Sequence, residues 1–168
     1  MFVFLLCKLA FVFSVVGVAS ICLIKFARSG REFRAPLVLS ALPFFGVIAI
    51  AAISLSFAPS SHWETMAVGN RWLEYLLSIP IIAVLPFAAI VWALRIAAAP
   101  TDLMRTGTFA GLIAGGVSAT AYALHCTDDS LAFVAIWYGG TIALCALAGA
   151  TLGPRLLRWR QSCCDEGR

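Results

Sequence analysis

The residues with the most chemistry to offer lie in one short stretch, Tyr122-Ala-Leu-His125-Cys126-Thr-Asp128-Asp129-Ser130, which turns one apolar run over into the next. His125, Cys126, Asp128 and Asp129 put an imidazole, a thiol and two carboxylates within five residues. These are ligand types for a divalent or soft metal, and a thiol beside a histidine is also a candidate oxidant sensor. The spacing matches no standard zinc pattern. The plainer reading makes Asp129 or Ser130 the N-cap of the following helix, Asp128 a partner of its dipole, and Cys126 a small packing group.

The elements that must carry this loop are membrane helices. The chain has 168 residues, 62% of them hydrophobic and only 12% charged, with a mean hydropathy of +0.97. That is too apolar for a soluble domain of this length. A helix needs about 20 mostly apolar residues to cross a bilayer. Five segments qualify: 2–24, 37–57, 76–94, 107–124 and 131–152, with 153–168 as a tail. The runs are continuous rather than alternating, so the expected fold is all-α, a polytopic transmembrane helical bundle, and not a β-barrel.

Basic residues set the orientation. Lys25, Arg28, Arg31 and Arg34 precede the second segment, Arg95 and Arg105 flank the join of the third and fourth, and Arg155, Arg158, Arg160 and Arg168 follow the fifth. Ten of the twelve basic residues therefore share one side, which is read as cytoplasmic together with the C-terminus. The other side holds Arg71 with Glu64, Glu74, Asp128 and Asp129. Five spans then start the chain outside, with Lys8 inside the first span and no basic region before it, so a poor signal peptide. The expectation is a further helix upstream, missing or lost.

Packing is legible in the small residues. Gly107, Gly111 and Gly115 recur every four residues, as do Gly149 and Gly153, and such rows allow two membrane helices to approach closely. The fourth and fifth segments are expected to pack tightly. Pro43, Pro80 and Pro86 sit within spans and should bend them. Trp72 and Tyr75 fit an interfacial belt, whereas Trp137 and Tyr138 should face the bundle. Of the six cysteines, only Cys7 and Cys126 would lie toward an oxidising face,.

Catalytic signals are missing from the sequence. After Lys8 the spans hold no ionisable group of the kind that membrane enzymes and transporters place there. There is no phosphate-binding loop and no His-Glu-x-x-His, so neither an enzyme nor a cofactor is expected. The basic loops follow from topology and do not argue for direct nucleic acid binding. A small transporter or channel subunit is the alternative, with the proline-bent third helix and the glycine-rich fourth as its pathway.

The run Tyr122-Ala-Leu-His125-Cys126-x-Asp128-Asp129-Ser130-x-x-Phe133-Val-Ala-Ile-Trp137-Tyr138, followed by Gly149-x-x-Leu152-Gly153-Pro154-Arg155 and Trp159, resembles the NrsF-type anti-sigma factor family. The upstream Trp72-x-x-Tyr75-Leu76-x-x-Ile79-Pro80, with Pro86 and Trp92-Ala-Leu-Arg95, is similar to the same family's preceding helix. The resemblance implies an inner-membrane protein of about six helices that holds an extracytoplasmic-function sigma factor inactive and releases it under metal or oxidant stress. It implies no direct contact with nucleic acid. The family begins with a cytoplasmic segment and a first helix, and this chain starts later in that pattern. Its remaining short basic loops offer little of the roughly 800 Å² per partner that a stable interface uses, so sigma binding by this stretch is expected to be weak or absent unless several loops combine. The family's Trp-x-x-Cys pattern is also altered here, with Tyr75 in place of the cysteine, which leaves Cys126 as the remaining thiol of the implied sensing pair.

Overall fold

A computed structural model describes residues 2–29, 35–57, 59, 72–97, 102–124 and 131–157. All regular elements among them are helices: α1 (Phe2–Ser29), α2 (Ala35–Ser56), α3 (Trp72–Ala97), α4 (Leu103–Ala123), the short α5 (Leu131–Phe133) and α6 (Gly139–Leu157). A π-helical turn, Val134–Tyr138, joins α5 to α6 without a break in the helical path. The fold is therefore an all-α bundle.

Most helices outrun the apolar segments that announce them. α6 passes through Gly153 and Pro154 to Leu157, so the first residues assigned to a tail extend the last helix. Pro154 removes one backbone hydrogen bond near the end of this helix,, while Gly153 packs against α4, 2.8 Å being the distance its Cβ would have from the Gly107 Cα. Pro43, Pro80 and Pro86 likewise lie inside continuous helices.

Four helical stretches among the described residues are long and apolar enough to cross a membrane: Leu5–Lys25, Val38–Ser56, Leu76–Ile96 and Val134–Leu157. α4 is not one of them, although its segment reads as the fourth span. The difference has a physical cause. α4 sits in the middle of the bundle and contacts α1, α3 and α6, and the residues it buries include Thr106, Gly107, Gly111, Gly115, Gly116 and Ser118. Small and hydroxylated residues lower the helix's hydropathy where neighbouring helices, not lipid, are its surroundings. α2 and α3 show the opposite balance. Phe45, Leu85 and Trp92 are all more than half exposed, an outward apolar surface suited to acyl chains.

The core runs along α4. Phe11, Val12, Val15 and Ala19 of α1 meet Phe109, Leu112 and Ala119 of α4, with Phe133, Val134, Tyr138 and Ile142 of the last span completing the cluster. The Phe11 and Phe44 rings stack edge to face at 5.7 Å and fix α2 beside α1,. Several hydroxyls inside the spans bond to carbonyls of their own helices. Ser54 and Ser118 donate to the carbonyls of Ala51 and Ala114 at 2.8 and 2.9 Å, and Thr141 donates to Trp137 and Tyr138 at 2.7 and 3.1 Å,.

The N-terminus of α4 has its own stop signal. Asp102 is extended at φ −116°, and its carboxylate accepts from the Arg105 amide at 3.1 Å. The Arg105 guanidinium pairs with the same carboxylate at 3.0 Å. The cap contributes about 1 kcal/mol to such a helix; the ion pair, partly open to solvent, adds little.

Candidate functional site

Two ends of the bundle can be built from named contacts, joined by the seam between α4 and α6. Along that seam the backbones touch. A Cβ on Gly107 would land on the Gly149 carbonyl oxygen and 2.8 Å from the Gly153 Cα. One on Gly111 would strike the Cys145 carbonyl and lie 3.0 Å from the Ala146 Cα. One on Gly115 would lie 3.3 Å from the Ile142 Cα. The five glycines singled out by spacing, Gly107, Gly111, Gly115, Gly149 and Gly153, are thus brought together in a single antiparallel contact. Residue numbers rise along α4 as they fall along α6, so Gly107 faces Gly153 and Gly115 faces Ile142. Together the two helices form the most closely packed pair of the bundle.

At the Gly153 end, α3 is latched to α6. The Arg95 guanidinium donates from Nε to the Leu156 carbonyl at 2.9 Å, and its Nη2 donates to the same oxygen. A helix leaves its last carbonyls without intrahelical donors, and an arginine from a neighbouring helix satisfies one here. The sequence marks Arg95 as a topology charge and as part of the family motif, but not as a contact to the last helix, and Asp102 carries no expectation there. The spacing Asp102-x-x-Arg105 after Pro100 was a usable cap signal; the Arg95 contact, 61 residues distant in sequence, left none.

At the other end, α4 closes with Leu124, whose amide donates to the Thr120 carbonyl at 3.3 Å. The candidate sensing and metal-binding residues His125, Cys126, Asp128 and Asp129 follow and lie outside the described residues. The chain is next described where it enters the core: Phe133, Val134 and Tyr138 are each 1% exposed. The Phe133 and Trp137 rings pack at 6.2 Å, and Trp137 is half-buried. The π-helical turn aims these residues inward. One extra residue per turn rotates the chain on either side of it, which places Tyr138 in the core while Ile136 stays exposed at 50%,.

Lys8 is the second feature of this end. It is 1% exposed, on the face of α1 that continues into Val12, Val15 and Ala19. Its position within a span was legible, but its burial against the bundle was not. Beside it, a groove of about 250 Å³ between α1, α2 and the π-helical turn is lined by Cys7, Phe11, Pro43, Gly46, Val47 and Val134, among others. Cys7 is half-buried, and Cys22 and Cys145 are buried in the inner packing.

A family model described as NrsF, negative regulator of sigma F, matches residues 1–159. A probable anti-sigma-F factor NrsF from Azospira oryzae is 31% identical over 152 residues, 90% of this chain and 71% of that protein. An anti-sigma-F factor NrsF from Caulobacter vibrioides is 31% identical over 137 residues, 80% of this chain and 63% of that protein. The chain thus spans roughly two thirds of the length of the curated relatives it matches. No solved structure matches it. With nearly every residue inside the family match and two relatives above three tenths identity, the chain belongs to the NrsF family of negative regulators of sigma F.

Proposed function

We propose that this protein is an inner-membrane anti-sigma factor, which holds an extracytoplasmic-function sigma factor inactive at the cytoplasmic face and releases it under metal or oxidant stress. The observation that carries the reading is the similarity to two anti-sigma-F factors over most of the chain. Helices suited to a bilayer support it. In this reading α4 crosses the membrane too, shielded by its neighbours, and the C-terminus is cytoplasmic with ten of the twelve basic residues,. The partner is the sigma factor, with no direct contact to nucleic acid.

The signal arrives at the opposite face. His125 and Cys126, with Asp128 and Asp129 beside them, supply soft and hard ligands or an oxidisable thiol. A change in that connection acts on the start of the last span and, through the glycine seam, on the paired ends of α4 and α6, where Arg95 ties in α3. The sigma factor is held by several cytoplasmic loops in combination.

Fractionation of cells tests this. With the gene intact and no stress, the cognate sigma factor should sediment with the membranes; with the gene deleted it should move to the soluble fraction. An identical distribution in the two strains would overturn the proposal.

A further inference from the structure

α3 and α6 both rest on α4, and where α4 presents only Gly111 and Ala114 between them a groove of about 110 Å³ is left. Ala83, Val84 and Phe87 wall it on the α3 side, and Leu144, Ala148 and Leu152 on the α6 side. Among the described residues no charged or hydroxyl side chain lines it. Val84, Leu144, Ala148 and Leu152 are exposed, so the groove opens to the outer surface of the bundle, where acyl chains are the solvent. One end of it carries charge. Leu144, Ala148, Leu152 and Arg155 recur at helical spacing, so a single stripe of α6 continues from the wall to a guanidinium,. Val84 and Arg95 lie three turns apart on one stripe of α3,. Both arginines are exposed and in the last turns of their helices, and the Arg95 contact with the Leu156 carbonyl brings those turns together. Side chains lean toward the N-terminus of their helix. Both guanidinium groups therefore lean back over the groove.

An apolar groove ending under two cations fits an amphiphile with an anionic head. We propose that one anionic phospholipid binds here, with an acyl chain along the groove and its phosphate against Arg155 and Arg95. Leu144 to Arg155 spans about 16 Å of helix, and one leaflet contributes about 15 Å of hydrocarbon. Head and chain thus fall at the depths they have in a bilayer. Arginine forks onto phosphate, and basic pockets between membrane helices suit anionic headgroups. At the same end Asp102 is already held by Arg105, which leaves the charge there positive. A second copy of the chain is a poorer occupant. A closed dimer sets one patch against itself, and two copies oriented alike in a bilayer would bring Arg95 and Arg155 level with their own like charges. The bound lipid joins α3 to α6 beside the glycine seam and reinforces the Arg95 contact. The site rests on the bundle crossing a bilayer, and not on sigma repression.

The test titrates the purified protein in detergent with dioleoylphosphatidylglycerol or dioleoylphosphatidylcholine, whose chains are identical, and reads retained lipid by native mass spectrometry. One phosphatidylglycerol should be held at least about tenfold more tightly than phosphatidylcholine. Arg155→Gln should weaken that binding at least about tenfold, as the loss of a charge-assisted hydrogen bond does. Ala148→Trp, which fills the groove, should weaken it as much. Lys25→Gln should bind as the native protein does, because α1 packs on α2 and α4 and lends no wall to the groove. Equal retention of the two lipids, or equal loss for Lys25→Gln and Arg155→Gln, would overturn the site. Labelling in vesicles needs no variant and covers the case in which Ala148→Trp does not fold. Phosphatidylglycerol with a diazirine in its chain should label 83–87 and 144–152 at least about fivefold more than the matching phosphatidylcholine, while the α2 surface around Phe45 takes both alike. Equal labelling at the groove would overturn the proposal, as would disulfide dimers of Ala148→Cys, which would assign the groove to a second copy. Protein recovered outside the membrane fraction would overturn the bilayer reading and the site together, whereas membrane-bound protein that holds both lipids equally overturns the site alone.

Discussion

Gly111→Val should leave almost no stable protein in the membrane. Its Cβ would fall on the Cys145 carbonyl oxygen and 3.0 Å from the Ala146 Cα, and both are backbone atoms of a helix that cannot swing aside as a side chain can. Overpacking usually costs 1–3 kcal/mol where side chains adjust. Here the whole of α6 must move, and it also holds Gly107 and Gly115 contacts on the same seam, so a loss of at least about 4 kcal/mol is expected. For a marginally stable domain that removes most of the folded population. The control is Gly46→Ala. No atom lies within 4 Å of a Cβ there, and alanine is a better helix former than glycine by about 1 kcal/mol. Thermal unfolding in detergent, with membrane levels alongside, separates them. Gly111→Val should melt far below native or fail to accumulate, while Gly46→Ala melts at or above native. Equal behaviour of the two would dissolve the seam as the organising contact.

Cys126→Ser should blunt the response to soft metals while leaving the protein in place. A thiolate binds such ions and reacts with oxidants better than any other side chain proposed for that face. Serine is nearly isosteric, so the fold should be little affected. Losing a ligand is expected to demand at least about tenfold more cadmium for half-maximal sigma-dependent output, with chromate induction reduced in parallel. His125→Ala should show a weaker version of the same shift. If Cys126→Ser responds as the native protein does at equal membrane level, the connection is a helix cap and packing element, and the sensing role falls.

The sequence carried the architecture further than it carried the site. Apolar runs near 20 residues announce membrane helices directly, because the bilayer demands that length. Glycines four apart announce a helix contact because nothing else in a span gains from a missing side chain. The partner rows Gly107 to Gly115 and Gly149 to Gly153 are accordingly found facing each other. What stayed hidden depends on which way a helix faces. Lys8 could be placed in a span but not on the face toward α4. α4 itself reads as one more span, although its small residues make it the least apolar of the long helices, as befits the one its neighbours enclose. The π-helical turn at Val134–Tyr138 has no periodic signature, since five residues cannot display a change of pitch. Arg95 meets Leu156 across 61 residues, a distance over which sequence spacing says nothing. The chemistry of the connection was legible as residue types alone, since His125, Cys126, Asp128 and Asp129 lie outside the described residues.

The central claim is repression of a sigma factor from the membrane, and transcription reads it directly. A reporter driven by a promoter of the cognate sigma factor should be low in unstressed native cells. In cells lacking this gene it should rise to the level that stress produces, with no further increase on adding cadmium or chromate. A reporter that stays low and still responds to stress after the gene is removed would contradict the account.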